Sequence, residues 1–311
     1  MRKLLLITCL LGSLALLSCR RGGGAGEVRS VYYWGTVLDI DSLKAAFISR
    51  HGVSRVYLRY FDVVPDEAGR PVPNATLRFK TGVPRGVEVV PTVYVVNSCM
   101  AADTSGLAER IVRRVAQMCE TNGIGPVSEL QIDCDWTRRT RERYFAFLRT
   151  VGRLAADRGM RVSATIRLHQ LAEAPPPVDR GVLMMYNTGD FTSPDCEKPI
   201  LDMRDAAPYV GNLGRYGLPL SAAYPIYSWR ILFRGGRYVG IMHRDDDLPV
   251  LPGDTIITRA PTVGDIAEAV KAVGRRRPDA NREVILFDLG NQNITRFNPD
   301  DYEKIYNGFG L

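Results

Sequence analysis

Beyond its first two dozen residues, the 311-residue sequence has no low-complexity tract and no apolar run long enough to span a bilayer. Its six cysteines never occur as C-x-x-C, and its three histidines form neither H-x-H nor H-E-x-x-H, so the usual patterns of zinc sites are missing. These absences exclude a disordered tail protein, a collagen-like repeat and a small disulfide scaffold. We expect no metal and no cofactor.

An excess of basic residues is the one feature of the composition that suggests a polyanionic partner. Lysine and arginine total 41 against 34 acidic residues, which gives a formal net charge of +7. The charge is diffuse, and short clusters such as Arg138 and Arg139 lie in or beside predicted helices, where a solvated face explains them. No nucleic-acid-binding motif accompanies the charge, so we expect no nucleic-acid partner.

The N-terminus has the pattern of an export signal. Arg2 and Lys3 precede an apolar stretch over residues 4–17, which is too short for a comfortable transmembrane helix. Residues 16–19, Leu-Leu-Ser-Cys, also resemble the bacterial lipobox, and this resemblance implies cleavage before Cys19 and attachment of lipid to its thiol. The alternative is an ordinary cleaved signal that ends in an incidental cysteine.

This interpretation divides the chain into a lipoprotein signal peptide at 1–18, a flexible Gly-rich tether at 19–30 and one domain at 31–311. The mature protein is then exported and held at the bacterial cell envelope by a lipid anchor alone, and we expect the outer membrane. Outside the cytoplasm, disulfides can form among Cys99, Cys119, Cys134 and Cys196. Three full pairings exist, and the sequence does not choose among them.

From residue 31 onward, β-rich runs alternate with amphipathic runs at nearly regular intervals. Helices between them are predicted from caps such as Thr262 with Asp265 and Asn298 with Pro299. The crossover after the sixth strand is the least clear, and 202–211 supplies a short helix there. Eight runs predict strands: 31–37, 55–63, 87–96, 129–136, 161–169, 181–187, 219–229 and 283–289.

Eight such units predict an α/β fold, a single (β/α)8 barrel, because alternating elements force a parallel sheet and eight strands close well. A doubly wound open sheet is the alternative, disfavoured because no strand leads into a G-x-G-x-x-G loop. Long loops follow the second and seventh strands, at 65–85 and 231–259, and 234–237 is predicted to close a hairpin. Both loops belong to the C-terminal face, where barrel active sites lie.

The fourth strand and its continuation, residues 129–137, are the most informative segment. Alternation sends apolar residues such as Leu130 and Ile132 toward the helices and the polar residues into the barrel. Asp133 and Asp135 would then lie together in the lumen near the mouth, and two like charges so close would titrate as a pair with at least one raised pKa. The alternative is a carboxylate held by a lumen cation such as Arg167.

Residues 133–136, Asp-Cys-Asp-Trp, resemble the D-x-D-W part of the fourth-strand motif of glycoside hydrolase family 18, the chitinase and endo-N-acetylglucosaminidase barrels. Residues 184–187, Met-Met-Tyr-Asn, resemble that family's sixth-strand M-x-Y-D. Residues 182–191 and 223–230 are also similar to a related family of exported bacterial barrels. The resemblance implies catalytic roles for Asp133, Asp135 and Tyr186, in which the second Asp orients the substrate acetamido group and the Tyr supports it.

The departures from this motif concern the acid. In the family a Glu follows D-x-D-W and protonates the glycosidic oxygen, but Thr137 stands here, and a threonine cannot deliver a proton at neutral pH. Asn187 replaces the family's sixth-strand Asp, and Leu130 replaces its first motif Asp. A hydrolase would therefore need another acid, and the candidates are Asp135 beside Asp133, or Asp62, His169 and Asp288 at other strand ends.

Aromatic residues at strand ends favour a carbohydrate ligand, since flat rings stack on sugar faces. Rings that could flank the mouth are Trp34, Tyr60, Tyr94, Tyr186, Tyr227 and Trp229, although each one singly is also common in strands. Hydrogen bonds could come from Asn187, Arg167 and Asn291. We expect the substrate-binding set to comprise Trp229, Tyr227, Asn187, Arg167, His169, Asp62 and Trp34.

The sequence thus predicts a lipid-anchored barrel, similar to glycoside hydrolases, that binds a glycan or glycoconjugate at its C-terminal face, with its hydrolysis left open. Two alternatives remain: a non-catalytic carbohydrate-binding barrel and an envelope scaffold that serves protein contacts. A metal site built from Asp133, Asp135 and His169 is disfavoured because no metal-binding pattern accompanies these residues.

Overall fold

The structure, a computed structural model, describes residues 25–243 and 247–310. The predicted signal peptide at 1–18, the predicted lipidation site Cys19 and the predicted tether as far as residue 24 lie outside the described residues. Within the described ranges, no helix is both long enough and apolar enough to cross a membrane.

Eight parallel strands close into a barrel, which confirms the predicted (β/α)8 fold. With strands numbered along the described chain, the barrel strands are β1 (Val28–Tyr33), β3 (Arg55–Pro65), β6 (Glu88–Val95), β7 (Glu129–Asp133), β8 (Arg161–Ile166), β9 (Arg180–Met184), β10 (Leu220–Pro225) and β14 (Glu283–Phe287). Their order around the barrel is β1-β14-β10-β9-β8-β7-β6-β3, and β1 pairs with β3 to complete the ring.

The barrel strands form because β-branched and aliphatic residues alternate with small or polar ones. In β7, Leu130 and Ile132 are fully buried in the hydrophobic core, whereas Gln131 accepts a hydrogen bond from the Tyr32 hydroxyl at 2.7 Å across the lumen. The two sets of side chains therefore take opposite sides of the strand, as the sequence predicts. The strand ends at Asp133, three residues before its predicted end.

Seven helices surround the barrel in the described ranges. Two of them begin at clear side-chain caps: Asp41 accepts from the Lys44 backbone N–H at 2.9 Å, and Thr262 with Asp265, as predicted, forms a reciprocal capping box. The short helix after the sixth barrel strand is also present. The helices are α1 (Ser42–Arg50), α2 (Leu107–Thr121), α3 (Arg141–Ala156), α4 (Met203–Val210), α5 (Val263–Arg276), α6 (Asn291–Ile294) and α7 (Pro299–Tyr306).

Six further strands lie in the connections. After β3, β4 (Pro71–Asn74) pairs antiparallel to its end and β5 (Arg78–Phe79) pairs with β2 (Val37–Leu38). After β10, β11 (Trp229–Arg234), β12 (Arg237–Met242) and β13 (Asp254–Arg259) form a three-stranded sheet, which we term the accessory sheet. Both predicted loop excursions are thus confirmed. Gly235 and Gly236 close the predicted hairpin with φ of 55° and 75°, values that favour glycine.

None of the three cysteine pairings forms. Cys99, Cys119, Cys134 and Cys196 are all free thiols. Cys99 and Cys134 are buried, and Cys119 on α2 lies 3.2 Å from the Tyr60 hydroxyl.

Candidate functional site

A cavity of about 720 Å³ opens at the C-terminal mouth of the barrel, and we term it the mouth pocket. Residues at or just beyond the ends of seven barrel strands contribute to it, and the accessory sheet supplies a further wall. The residues that line it include Trp34, Arg59, Tyr94, Asp133, Arg167, Tyr186, Asn187, Tyr227, Trp229, His243, Phe287, Asp288 and Asn291.

Asp133 is the carboxylate at the end of β7, and its side chain is only 3% exposed. Its Oδ1 accepts a hydrogen bond from the Thr165 hydroxyl at 2.6 Å and another from Arg167 at 3.1 Å. Both partners come from β8 or the residue that follows it. Arg167 therefore holds this carboxylate, as the alternative to a coupled pair of carboxylates predicts.

Asp135 does not share the lumen with Asp133. Because β7 ends at Asp133, alternation no longer governs Asp135, whose side chain is 56% exposed and lies 3.7 Å from His169 Nε2. The prediction of two coupled buried carboxylates is wrong for this reason. Asp135 and His169 line a separate cavity of about 250 Å³ beside the mouth, together with Tyr209.

Thr137, which stands where the family motif has its acid, also lies outside the mouth pocket. It is exposed in the turn before α3, and its backbone N–H donates to the Thr140 hydroxyl at 3.0 Å. It lies three residues before Thr140, the N-cap of α3.

Arg59, which was not predicted, lines the mouth pocket, whereas the predicted binding residue Asp62 does not. Asp62 is buried behind the mouth pocket, and both of its oxygens accept hydrogen bonds from the Arg59 guanidinium. Arg59 itself lines the pocket, with its guanidinium 5.3 Å from the centre of the Trp34 ring. A register shift in β3 between Arg59 and Phe61 brings the two partners, three residues apart, to one side of the strand.

Asp288, just beyond β14, is the second carboxylate of the mouth pocket. Its Oδ1 accepts hydrogen bonds from the Asn293 side-chain amide at 2.6 Å and from the Gly290 N–H at 2.9 Å. Burial raises the pKa of Asp288 above its ordinary value, against the lowering effect of these two hydrogen bonds and of nearby His243. The sequence named Asp288 as a reachable acid, and the structure brings it into the same cavity as Asp133.

Five of the six predicted aromatic residues line the mouth pocket. Trp34 and Trp229 are partly exposed, whereas Tyr186 and Tyr227 are buried against each other, with ring centres 6.0 Å apart. Tyr94 completes the set. Tyr60 does not contribute, because it points to the helix layer and lies against Phe79, 6.0 Å between ring centres.

Two tyrosine hydroxyls at the pocket differ in their partners. The Tyr227 hydroxyl donates to Asn187 Oδ1 at 2.5 Å. The Tyr186 hydroxyl is buried and has no hydrogen-bond partner among the described residues. A buried polar group without a partner costs free energy, so this hydroxyl is a ready contact for a ligand that enters the pocket.

The accessory sheet holds Trp229 in place. Phe191, from the loop after β9, meets the Trp229 ring edge to face at 5.4 Å and the Tyr238 ring at 5.5 Å. Asn291 also lines the mouth pocket, and its side-chain amide donates to Asp41 at 2.8 Å. The predicted platform and the predicted hydrogen-bonding residue thus face one cavity.

Comparison with known proteins finds similarity only at the level of structure. No protein-family model matches the chain, and no curated protein matches it. A chitinase from Chromobacterium violaceum is similar with a TM-score of 0.61 and 12% identity, covering 91% of this chain and 99% of that one. A chitinase from Bacteroides thetaiotaomicron has a TM-score of 0.55 and 14% identity over 91% of this chain and 95% of that one.

The spore cortex-lytic enzyme SleL from Bacillus cereus is a third similar structure, with a TM-score of 0.55 and 14% identity over 88% of this chain and 74% of that one. At such identities the likeness concerns the fold. The chain has a chitinase-like barrel, and its site has to be interpreted from its own residues.

Proposed function

We propose that this protein binds a glycan in the mouth pocket. The observation that carries the proposal is the composition of the pocket: partly exposed Trp34 and Trp229 offer ring faces, and the buried Tyr186 hydroxyl has no protein partner. Ring faces and scattered hydrogen-bonding groups in one concave site suit sugars, which have apolar faces and hydroxyl edges.

The similar structures support a glycan as the ligand class. Two are named chitinases and one a spore cortex-lytic enzyme. Chitin oligosaccharides are therefore the first probes to use. In this proposal Arg167 and Asn187 contact sugar hydroxyls, while Asp62 acts only by holding Arg59 in place.

Binding can be tested by titration calorimetry with chitin oligosaccharides. Trp229→Ala should weaken binding about tenfold or more, because losing one stacking platform removes roughly 1.4 kcal/mol. Leu251→Ala is the matched control: Leu251 is exposed at 49%, belongs to the same excursion and does not line the pocket. Equal affinities for both variants would contradict the proposed platform.

Absence of binding to any member of a glycan array, with the folded protein, would favour the envelope scaffold instead. In that case the aromatic mouth would serve a protein contact. The array separates the two classes of function because a scaffold needs no sugar.

We further propose that the chain is exported and anchored by lipid at Cys19 in the outer membrane, as the lipobox-like residues 16–19 suggest. Labelled palmitate should be incorporated into the wild-type protein and not into Cys19→Ser. Fractionation of the envelope then tests the membrane. A protein that is secreted free of lipid would favour an ordinary cleaved signal.

A further inference from the structure

We propose that the mouth pocket hydrolyses the glycan that it binds, with Asp288 as the acid that protonates the glycosidic oxygen and Asp133 as the carboxylate that receives the proton of the attacking water. This inference rests on the proposed glycan binding. It assigns the acid role to a residue outside the D-x-D-W segment, and it needs neither Thr137 nor Asp135.

The two carboxylates lie on opposite sides of the barrel. Asp133 ends β7, and Asp288 directly follows β14. In the closed order of eight strands, β7 and β14 are separated by three strands in either direction around the ring. A sugar chain seated in the mouth pocket therefore lies between them, and glycosidases place two carboxylates on either side of the bond they break.

Each carboxylate is held by one oxygen and leaves the other without a partner. Oδ1 of Asp133 accepts from Thr165 and Arg167, and Oδ1 of Asp288 accepts from Gly290 and Asn293. Neither Oδ2 has a hydrogen-bond partner within residues 25–243 and 247–310, and both residues line the cavity. This arrangement fixes the orientation of each group and keeps one oxygen of each for the ligand.

The two carboxylates have different charged neighbours. Arg167 places a cation 3.1 Å from Asp133. Asp288 has no arginine or lysine within ion-pair distance in the described ranges, and burial raises its pKa, so its protonated form persists to higher pH. In glycosidases, two carboxyl groups in different environments divide the acid and base roles.

Two cations that share a cavity with Asp288 are committed to other partners. A second cavity of about 540 Å³ lies beside Asp288, and Lys44 and Arg59 line it. Lys44 is ion-paired with Asp41 at 2.8 Å, and Arg59 with Asp62, so neither cation neutralises Asp288. The titratable groups that share a cavity with Asp288 here or in the mouth pocket are His243, Lys44, Arg59, Tyr33, Tyr94, Tyr186, Tyr227, Asp133, Arg167 and Arg230.

The reaction balances with water as the sole co-reactant. Asp288 gives its proton to the glycosidic oxygen while the bond from that oxygen to the anomeric carbon breaks, and the leaving sugar departs as an alcohol. Water adds its oxygen to the anomeric carbon and gives one proton to Asp133. One proton has then moved from Asp288 to Asp133, and exchange with bulk water restores both groups.

The test uses Asp288→Asn, because an asparagine retains an Oδ1 that can accept from Gly290 and Asn293 but has no acidic proton. On a chitin oligosaccharide, this substitution should lower kcat/KM by about 100-fold or more. On the 2,4-dinitrophenyl β-glycoside of N-acetylglucosamine, whose leaving group needs no protonation, the loss should stay under about tenfold. Asp279→Asn, at a residue 49% exposed and far from the pocket lining, is the control.

The outcomes separate this inference from the proposed binding. Wild-type protein that binds the oligosaccharide in calorimetry but cleaves neither substrate overturns the hydrolysis and leaves the binding in place. Equal losses on both substrates for Asp288→Asn overturn the acid role, since a merely structural residue is indifferent to the leaving group. A protein that neither binds nor cleaves overturns both proposals.

Discussion

At the scale of single residues, the side chains of the mouth pocket depend on contacts with residues from other parts of the chain. Asp133 was predictable from alternation in β7, because that rule is local to the strand. Its ion pair with Arg167 was predictable only as one alternative, since both carboxylate and cation follow neighbouring strands. Arg59 was not predicted, because a register shift in β3 decides where it points.

Removing the Tyr186 hydroxyl should weaken ligand binding without lowering the stability of the protein. Tyr186→Phe removes a buried hydroxyl that has no partner in the described residues, so the free energy of unfolding should stay equal or rise, by about 1 kcal/mol at most. The same change should weaken oligosaccharide binding about fivefold, since a ligand hydrogen bond contributes roughly 1 kcal/mol.

Thermal unfolding and calorimetry on the same preparation measure both effects of Tyr186→Phe. Tyr227→Phe is the contrasting variant, because it removes a hydroxyl that donates to Asn187 and should lower stability. A large loss of stability in Tyr186→Phe would mean that its hydroxyl has a partner in the free protein.

Asp288 makes the stability of the protein decrease as the pH rises. Its folded pKa lies above the ordinary value of 3.8, so the folded state keeps a proton over a range in which the unfolded state has lost it. The contribution of Asp288 is therefore fully present below pH about 4 and is lost as the pH rises through the folded pKa.

Asp288→Asn removes this dependence on pH. Urea denaturation at a series of pH values from about 4 to about 7 should show a smaller decline in unfolding free energy for the variant than for the wild type. An identical decline in both proteins would show that Asp288 ionises in the folded protein at its ordinary pKa.

At the scale of elements, β9 packs so closely between its neighbours that a larger side chain there would not fit. Gly181 in β9 has no room for a side chain: a Cβ there would lie 2.8 Å from both Ile166 and Leu220. Gly181→Ala should destabilise the protein by about 1–3 kcal/mol, because it overpacks a buried site.

Gly152 in α3, unlike Gly181, has room for a side chain. No atom lies within 4 Å of a Cβ added there, and its φ does not require glycine. Gly152→Ala should stabilise the protein by about 0.5–1 kcal/mol through helix propensity. Chemical denaturation of both variants checks the signs, and a destabilising Gly152→Ala would contradict the assignment of α3 as a well-formed helix.

The elements also show why boundaries were harder to predict than the elements themselves. Capping residues such as Thr262 and Asn298 act on backbone groups within three residues, so helix starts were visible in the sequence. Strand ends depend on where a neighbouring strand stops pairing. For β7, pairing stops at Asp133, and this removed Asp135 from the lumen.

At the scale of the whole molecule, the closed barrel is held at its N-terminal end by a buried polar network centred on Glu283. Its carboxylate accepts hydrogen bonds from Ser30 on β1 at 2.6 Å, Tyr57 on β3 at 3.0 Å and Ser221 on β10 at 2.7 Å. Arg55 and Arg180 form ion pairs with it. Five barrel strands therefore meet at one carboxylate.

This network predicts acid sensitivity of the fold. Burial on its own raises the pKa of Glu283, but Arg180, Arg55 and the serine hydroxyls outweigh it and lower the pKa to about 2. Since the ordinary value is 4.5, the stabilisation is present above that pH and is lost as the pH falls through about 2. The shift corresponds to the order of 3 kcal/mol.

Glu283→Gln should therefore lower the free energy of unfolding by about 3 kcal/mol near neutral pH, with the difference from the wild type vanishing near pH 2. Glu142→Gln, at a side chain 75% exposed on α3, is the matched control and should change little. Denaturation followed at several pH values measures the difference. A gap that stays constant with pH would show that packing, and not charge, accounts for the loss.

The sequence by itself determined the number and order of the barrel strands and the starts of several helices, because hydrophobic periodicity and capping act over a few residues. Eight β-rich runs, the Gly235 and Gly236 hairpin and the two long excursions could all be located in this way. Only the tertiary structure decided which carboxylates share a cavity. Asp133 and Asp288 are far apart in the chain, and they line one cavity because β7 and β14 lie opposite each other in a closed ring. Closure is a property of all eight strands together, and no local pattern contains it.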